Sequence, residues 1–138
     1  MTSFFLATMM LLATVGGALA QVAPPWRHQV DPLQTAEISV GGVPLTVELA
    51  YQPRDTARGL GYRDGLAPGT GMLFLFEDPA PRSFWMKGMR FCLDIIWIDQ
   101  GEIIGAAQSV CPDPPGTADG DRPSYPSQGA AECVLEVP

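Results

Sequence analysis

Twenty-nine of the 138 residues are Gly or Pro, 15 and 14 respectively, and no other feature limits the fold as strongly. Each Pro fixes φ and removes a backbone donor, and each Gly raises the entropic cost of ordering the chain around it. A chain so punctuated favours short strands joined by many turns over long helices. Its length suits one ordinary domain and is too short for two independent cores. With 46% hydrophobic and 17% charged residues, it is too apolar to remain disordered, so a packed core is expected. Eight basic against 15 acidic residues leave a net charge of −7. No basic field is present to draw in phosphate backbones, and nucleic acid is not an expected partner.

Residues 1–20 carry no charged side chain, and the apolar run from Phe4 to Val15 leads into Gly16-Gly17-Ala18-Leu19-Ala20. This is a secretory signal pattern with Ala18 and Ala20 as the small residues of the cleavage site. A run of about a dozen apolar residues is too short to cross a bilayer core of roughly 30 Å. Cleavage is expected before Gln21, leaving no membrane span and a periplasmic or extracellular protein. No Cys follows that site, so there is no acceptor for a lipid anchor. Residues 21–36 contain Pro24, Pro25 and Pro32 without periodicity and read as a flexible tether, with His28 a solvated residue in it.

From Glu37 the apolar positions alternate through Ile38, Val40, Val43, Leu45, Val47 and Leu49 around Gly41-Gly42, a two-residue hairpin signal. Pro53 can open a short helix that Gly59 stops. Met72–Phe76 and Ser83–Met86 are strand candidates separated by the turn-rich segment 77–81. Leu93–Ile98 is the most buried-looking strand, and Asp99-Gln100-Gly101 turns it into a partner running from Glu102 to Ala107. Residues 108–131 read as one long loop, and a structureless loop of that length inside a compact domain is usually either functional or disordered. A final strand spans Cys133–Val137. The expected fold is β-rich α+β: one domain over 37–138, a compact antiparallel or mixed sheet or partly closed barrel, with one short helix near 53–59.

Three cysteines, Cys92, Cys111 and Cys133, would in an oxidising compartment pair two and leave one. Cys111 and Cys133 bracket the long loop and are the expected bridge, with Cys92 free inside the sheet. Cys92 with Cys133 is the competing pair. There is no C-x-x-C, and the single His lies far away, so a structural zinc site lacks both ligands and spacing. Met72, Met86 and Met89 raise a soft-metal reading, but Met72 and Met86 lie within apolar strand runs and read as core. No metal and no cofactor are expected.

An ordered series of blocks runs through the chain: Val47-Glu48-Leu49-Ala50, Arg58-Gly59-Leu60-Gly61-Tyr62-Arg63, Gly71-Met72-Leu73-Phe74, Phe84-Trp85-Met86-Lys87, Leu93-Asp94-Ile95-Ile96 and Val134-Leu135-Glu136-Val137. The series resembles the domain-of-unknown-function 192 family over roughly residues 45–137. The resemblance implies a compact, β-rich prokaryotic domain, often exported, with no established reaction or ligand. The family commonly has Met where this chain has Gly61, and Asn-Thr where it has Gly88-Met89. Members often continue beyond the final strand with a turn, a short helix and another strand, which implies an exposed edge or apolar patch at that strand.

Asp94 interrupts an apolar strand, so its carboxylate must be paired, solvated at a rim, or raised in pKa. A structural ion pair with Arg58, Arg63 or Lys87 is the plain expectation, and a catalytic acid or base the sharper one. Glu48 and Glu136 sit at alternating strand positions and read as solvent-facing. Trp85 and Lys87 share one face of a strand, and an indole beside an ammonium can hold a sugar or an anionic ring. Tyr125 in the long loop offers a hydroxyl. These features predict a non-catalytic secreted module in which Arg63, Trp85, Lys87, Asp94 and Tyr125 bind a small polar or anionic ligand. Two alternatives stand beside it. One is an enzyme using Asp94 as general acid or base with help from Lys87 or Tyr125. The other is a protein interaction module working through the long loop or an exposed edge strand.

Overall fold

The structure, a computed structural model, describes residues 32–138. The expected signal peptide and most of the tether, His28 included, lie outside the described residues. Six strands form one mixed sheet that does not close. They are β1 (Thr35–Val40), β2 (Val43–Ala50), β3 (Thr70–Phe84), β4 (Leu93–Asp99), β5 (Glu102–Val110) and β6 (Tyr125–Val137). Their order across the sheet is β1-β2-β3-β6-β4-β5. Only β2 and β3 pair in parallel. The β2–β3 crossover contains the short helix α1, Pro53–Arg58.

Local chemistry accounts for the hairpins and the helix. Gly41 and Gly42 adopt φ values of +57° and +84°, and Val40 faces Val43 across a two-residue turn. Gln100 and Gly101 repeat the arrangement between Asp99 and Glu102. Helix α1 opens on Pro53, and Gly59 caps it by donating its N–H to the Asp55 carbonyl.

Period-two alternation places Ala50, Met72, Phe74, Ile95, Trp97 and Val134 on one sheet face, where they form the core with Leu60, Met86 and Leu93. Met72 and Met86 are both core residues, as the apolar runs around them predict.

Four expectations are corrected. The tether ends sooner than residue 36, because Thr35 is already in register with Glu48. Segments 72–76 and 83–86 are not separate strands: β3 runs unbroken from Thr70 to Phe84, with register shifts at 75–80 and 81–83. Those irregularities are where a strand tolerates Pro79 and Pro81.

The long loop is also shorter than 108–131, since β5 reaches Val110 and β6 begins at Tyr125. Within residues 111–124, Arg122 bonds Asp113 at 2.6 Å, Asp119 at 3.1 Å and the Thr117 carbonyl at 2.8 Å. Hydrogen bonds from Lys87 and then Arg122 hold the Asp119 carboxyl below the usual carboxylate range, and Asp113 and Asp119 raise the Arg122 guanidinium further.

Finally, the last strand is not an edge. Over residues 133–136 β6 lies between β3 and β4, so both its hydrogen-bonding sides are occupied there and this part offers no edge to another chain.

The disulfide differs as well. Cys92 is bonded to Cys111, with Cα atoms 4.0 Å apart, and Cys133 is free. Leu93 faces Val110 in the β4–β5 hairpin, which brings the residues just outside that pair together at the hairpin's open end. Cys133 faces Ile98 near the other end of β4, roughly 17 Å along the strand at about 3.4 Å per residue.

Candidate functional site

A cleft of about 490 Å³ opens on the core side of the sheet, between the α1 segment and the end of β3. That volume suits a small organic molecule. Its walls are aromatic: Phe74 meets Phe84 edge to face at 5.0 Å, and Trp85 stands half-exposed on the rim. The Arg82 guanidinium lies 3.9 Å above the Phe76 ring. It also donates to the Ala131 carbonyl at 3.3 Å and to the Asp78 carbonyl.

The two loops that shape the cleft hold each other. The Tyr62 N–H donates to the Gly88 carbonyl at 2.7 Å. A Cβ on Gly88, whose φ is +73°, would come within 2.7 Å of the Tyr62 ring, so only Gly lets the loops approach this closely.

Three cations line the cleft, Arg58, Arg82 and Lys87, and they are not equally available. Lys87 pairs with Asp119 and lies 5.1 Å from the Trp85 ring centre. Arg82 is held by backbone carbonyls. Arg58 is partly buried and has no hydrogen bond or ion pair among the described residues.

The floor carries a carboxyl group. Glu136 is 5% exposed, and its Oε2 has no hydrogen-bond partner. Its register neighbours are Met72 on β3 and Ile95 on β4. Burial alone pushes its pKa up to about 7. Asp55, Asp99 and the Trp97 indole also bury an unpartnered polar atom, but none of them lines the cleft.

Of the residues expected to form a site, the cleft brings together Trp85 and Lys87. They follow the end of β3 rather than sharing a strand face. The loop does reach this region, through Asp119 on Lys87. Arg63, Asp94 and Tyr125 are not in the lining. Arg63 makes a bidentate bond to Glu48 at 2.9 and 2.5 Å, so Glu48 is an ion-pair partner and not a free surface group. Tyr125 lies on β6 opposite Phe84 and packs partly buried against the core.

Asp94 pairs with none of the three expected cations. Its Oδ1 accepts the Ser109 N–H at 2.7 Å, where the β4–β5 register shifts and Ser109 takes a φ of +52°. Asp94 therefore pins a bulge. Asp94→Asn keeps an acceptor oxygen and is expected to change stability by less than about 1 kcal/mol. Asp94→Ala should cost about 1–3 kcal/mol, and urea denaturation of the two variants checks the difference.

Glu136 and Arg58 are the functional groups that the residue pattern did not single out as a site. The available signal was a carboxylate at Glu136 in a strand apolar on both faces, the same argument that drew attention to Asp94.

The architecture is an open mixed β-sheet with a cationic, aromatic-walled cleft over a buried carboxyl. The chain belongs to the DUF192 family, described as an uncharacterised ACR, whose family model matches residues 36–138. Two solved structures are similar. One is a protein of unknown function from Novosphingobium aromaticivorans, 28% identical, with a TM-score of 0.65 over 80% of this chain and 77% of that one. The other, from Sinorhizobium meliloti, is described by a suggested role as a transcription regulator. It is 31% identical, with a TM-score of 0.66 over 79% of this chain and 83% of that one. No curated protein matches.

Proposed function

We propose that the domain is a non-catalytic binding module for a small organic anion, held in the cleft between Arg58 and the aromatic walls. The observation that carries this reading is the Arg58 guanidinium, without a partner among the described residues, on a concave, largely aromatic surface. A guanidinium in that setting is a ready partner for an oxyanion, and the rings supply apolar contact for the ligand's body. We further place the protein in a periplasm or outside the cell, following the signal pattern. The Cys92–Cys111 disulfide is compatible with that location. Among the described residues no helix is long and apolar enough to cross a membrane. The role suggested for the Sinorhizobium protein is not carried over, because a net charge of −7 opposes approach to DNA.

Phenylacetate, titrated by calorimetry against 2-phenylethylamine of similar size, tests the reading. The anion should bind and the amine should not. Arg58→Gln should weaken phenylacetate by about 10-fold to 100-fold, the worth of one charged hydrogen bond. Equal binding of both probes, or an unchanged affinity in Arg58→Gln, would refute it.

A second reading, an acid–base enzyme, is favoured by Glu136 and no longer by Asp94, whose carboxylate is occupied by Ser109. A carboxyl raised towards neutrality by burial in a cleft is the type of group that general acid catalysis uses. Chemical conversion of a bound ligand, lost in Glu136→Gln, would establish this reading over the first.

A further inference from the structure

We propose that the cleft selects carboxylic acids with an aromatic or branched apolar body, and that Glu136, in its neutral form, donates the hydrogen bond that seats the ligand's carboxylate at the floor while Arg58 meets it from the wall. The proposal rests on the anion-binding reading above and adds the chemical class of the ligand and the residue that sets it.

Glu136 stands on an interior strand, with Met72 and Ile95 beside it in register and no partner for its Oε2. Among the described residues no group donates a hydrogen bond to that oxygen. The charged groups facing the cleft are Arg82 from β3, Arg58 from the α1 segment and Lys87 from the turn after β3. Lys87 is neutralised by Asp119, and Arg82 is held by carbonyls. Along the sheet, the nearest carboxylate in the same row is Glu48, beyond Met72, and Arg63 clamps it. From β4 the register neighbour is Ile95, and no β4 residue lines the cleft. Asp55 of α1 is buried outside the lining.

A buried, protonated carboxyl group has an O–H donor to place, and none of the described residues accepts it at Oε2. An ionised carboxylate is a pure acceptor, and an O–H···O⁻ bond is among the stronger hydrogen bonds available. The remaining chemistry excludes other classes. An ammonium would need Glu136 ionised against its burial and would meet Arg58 with like charge. A neutral alcohol or amide would leave Arg58 without a counter-charge. Arg58 is the cleft cation with neither a counter-charge nor a side-chain hydrogen bond among the described residues, and the rings of Phe74, Phe76, Phe84 and Trp85 suit an apolar body of modest size.

Because binding uses the protonated side chain, ligand and proton are taken up together. Burial pushes the Glu136 carboxyl up to about 7. The competent fraction thus falls from about ten-elevenths at pH 6 to about one-eleventh at pH 8, and affinity should fall about tenfold over that interval. Phenylacetate does not titrate in this range, so the change reports a group on the protein, and Glu136→Gln identifies it.

The test is calorimetric titration of the full chain with phenylacetate at pH 6 and pH 8, repeated at pH 8 in buffers of different ionisation enthalpy. Wild type should show the tenfold loss and the uptake of about one proton per ligand at pH 8. Glu136→Gln keeps an N–H donor and should bind with an affinity that pH leaves unchanged.

Wild-type binding that depends on Arg58 but not on pH overturns this proposal and leaves the anion-binding reading in place. The same holds for a tenfold loss that persists in Glu136→Gln. Absence of saturable phenylacetate binding, or tighter binding of 2-phenylethylamine as pH rises, overturns both. The wild-type comparison needs no variant, so a poorly folded mutant would not blunt the test.

Discussion

Glu136→Gln is expected to stabilise the domain by about 3 kcal/mol at pH 8 and to leave it unchanged at pH 4. The side chain has an unfolded value of 4.5 and a folded value of about 7. Below 4.5 it is protonated in both states, and Gln is a close substitute. Between 4.5 and 7 the unfolded chain releases the proton while the folded one keeps it, so rising pH favours unfolding. Above 7 the wild type carries the full penalty, about 1.4 kcal/mol for each pH unit separating the two values. Guanidinium denaturation of both proteins at the two pH values measures the difference. A variant less stable than wild type at pH 8 would mean that the carboxylate has a stabilising partner. The proposed function supplies a reason to retain a costly group: the penalty is held in the free protein and relieved when a ligand accepts the proton's hydrogen bond.

The second large effect concerns the bridge. Cys92→Ser with Cys111→Ser is expected to cost about 3 kcal/mol, the chain-entropy value for a bridge spanning 19 residues. Cys133→Ser should cost much less, because that thiol is free and only partly buried. Burial, with Glu132 and Asp99 nearby, pushes the Cys133 thiol up, so alkylation in the folded state at neutral pH should be slow. Thermal melts of the three proteins test the energies. Non-reducing peptide mapping tests the connectivity, and a Cys111–Cys133 peptide would contradict it.

What the residues disclosed unaided were features decided within a few positions. Gly41-Gly42 and Gln100-Gly101 set their turns through positive φ, and Pro53 and Gly59 bound α1. The family was equally readable, because six blocks in a fixed order are specific where any one is not. Features set by pairing between distant strands were not readable. The disulfide follows from Leu93 facing Val110, a register that depends on a bulge at Ser109. The long β3 was hidden because Pro79 and Pro81 are strand breakers except at irregularities. Glu136 reads as a surface residue until β6 is known to lie between β3 and β4, which buries both its faces. Trp85 and Lys87 are near neighbours in sequence and so share the cleft, but Arg58, drawn from the crossover, joins them only in three dimensions.

The position of β6 also has a kinetic meaning. Without it, the sheet is two separate pieces: β1-β2-β3 on one side and the β4–β5 hairpin on the other. The last strand in chain order must slot between them, after both have exposed matching edges, so closure depends on contacts far apart in sequence. Such topologies fold slowly. The sheet would therefore remain incomplete, and pliable, until β6 had docked. Deleting residues 133–137 should yield no diminished version of this domain, but two unjoined fragments with open edges and a tendency to aggregate.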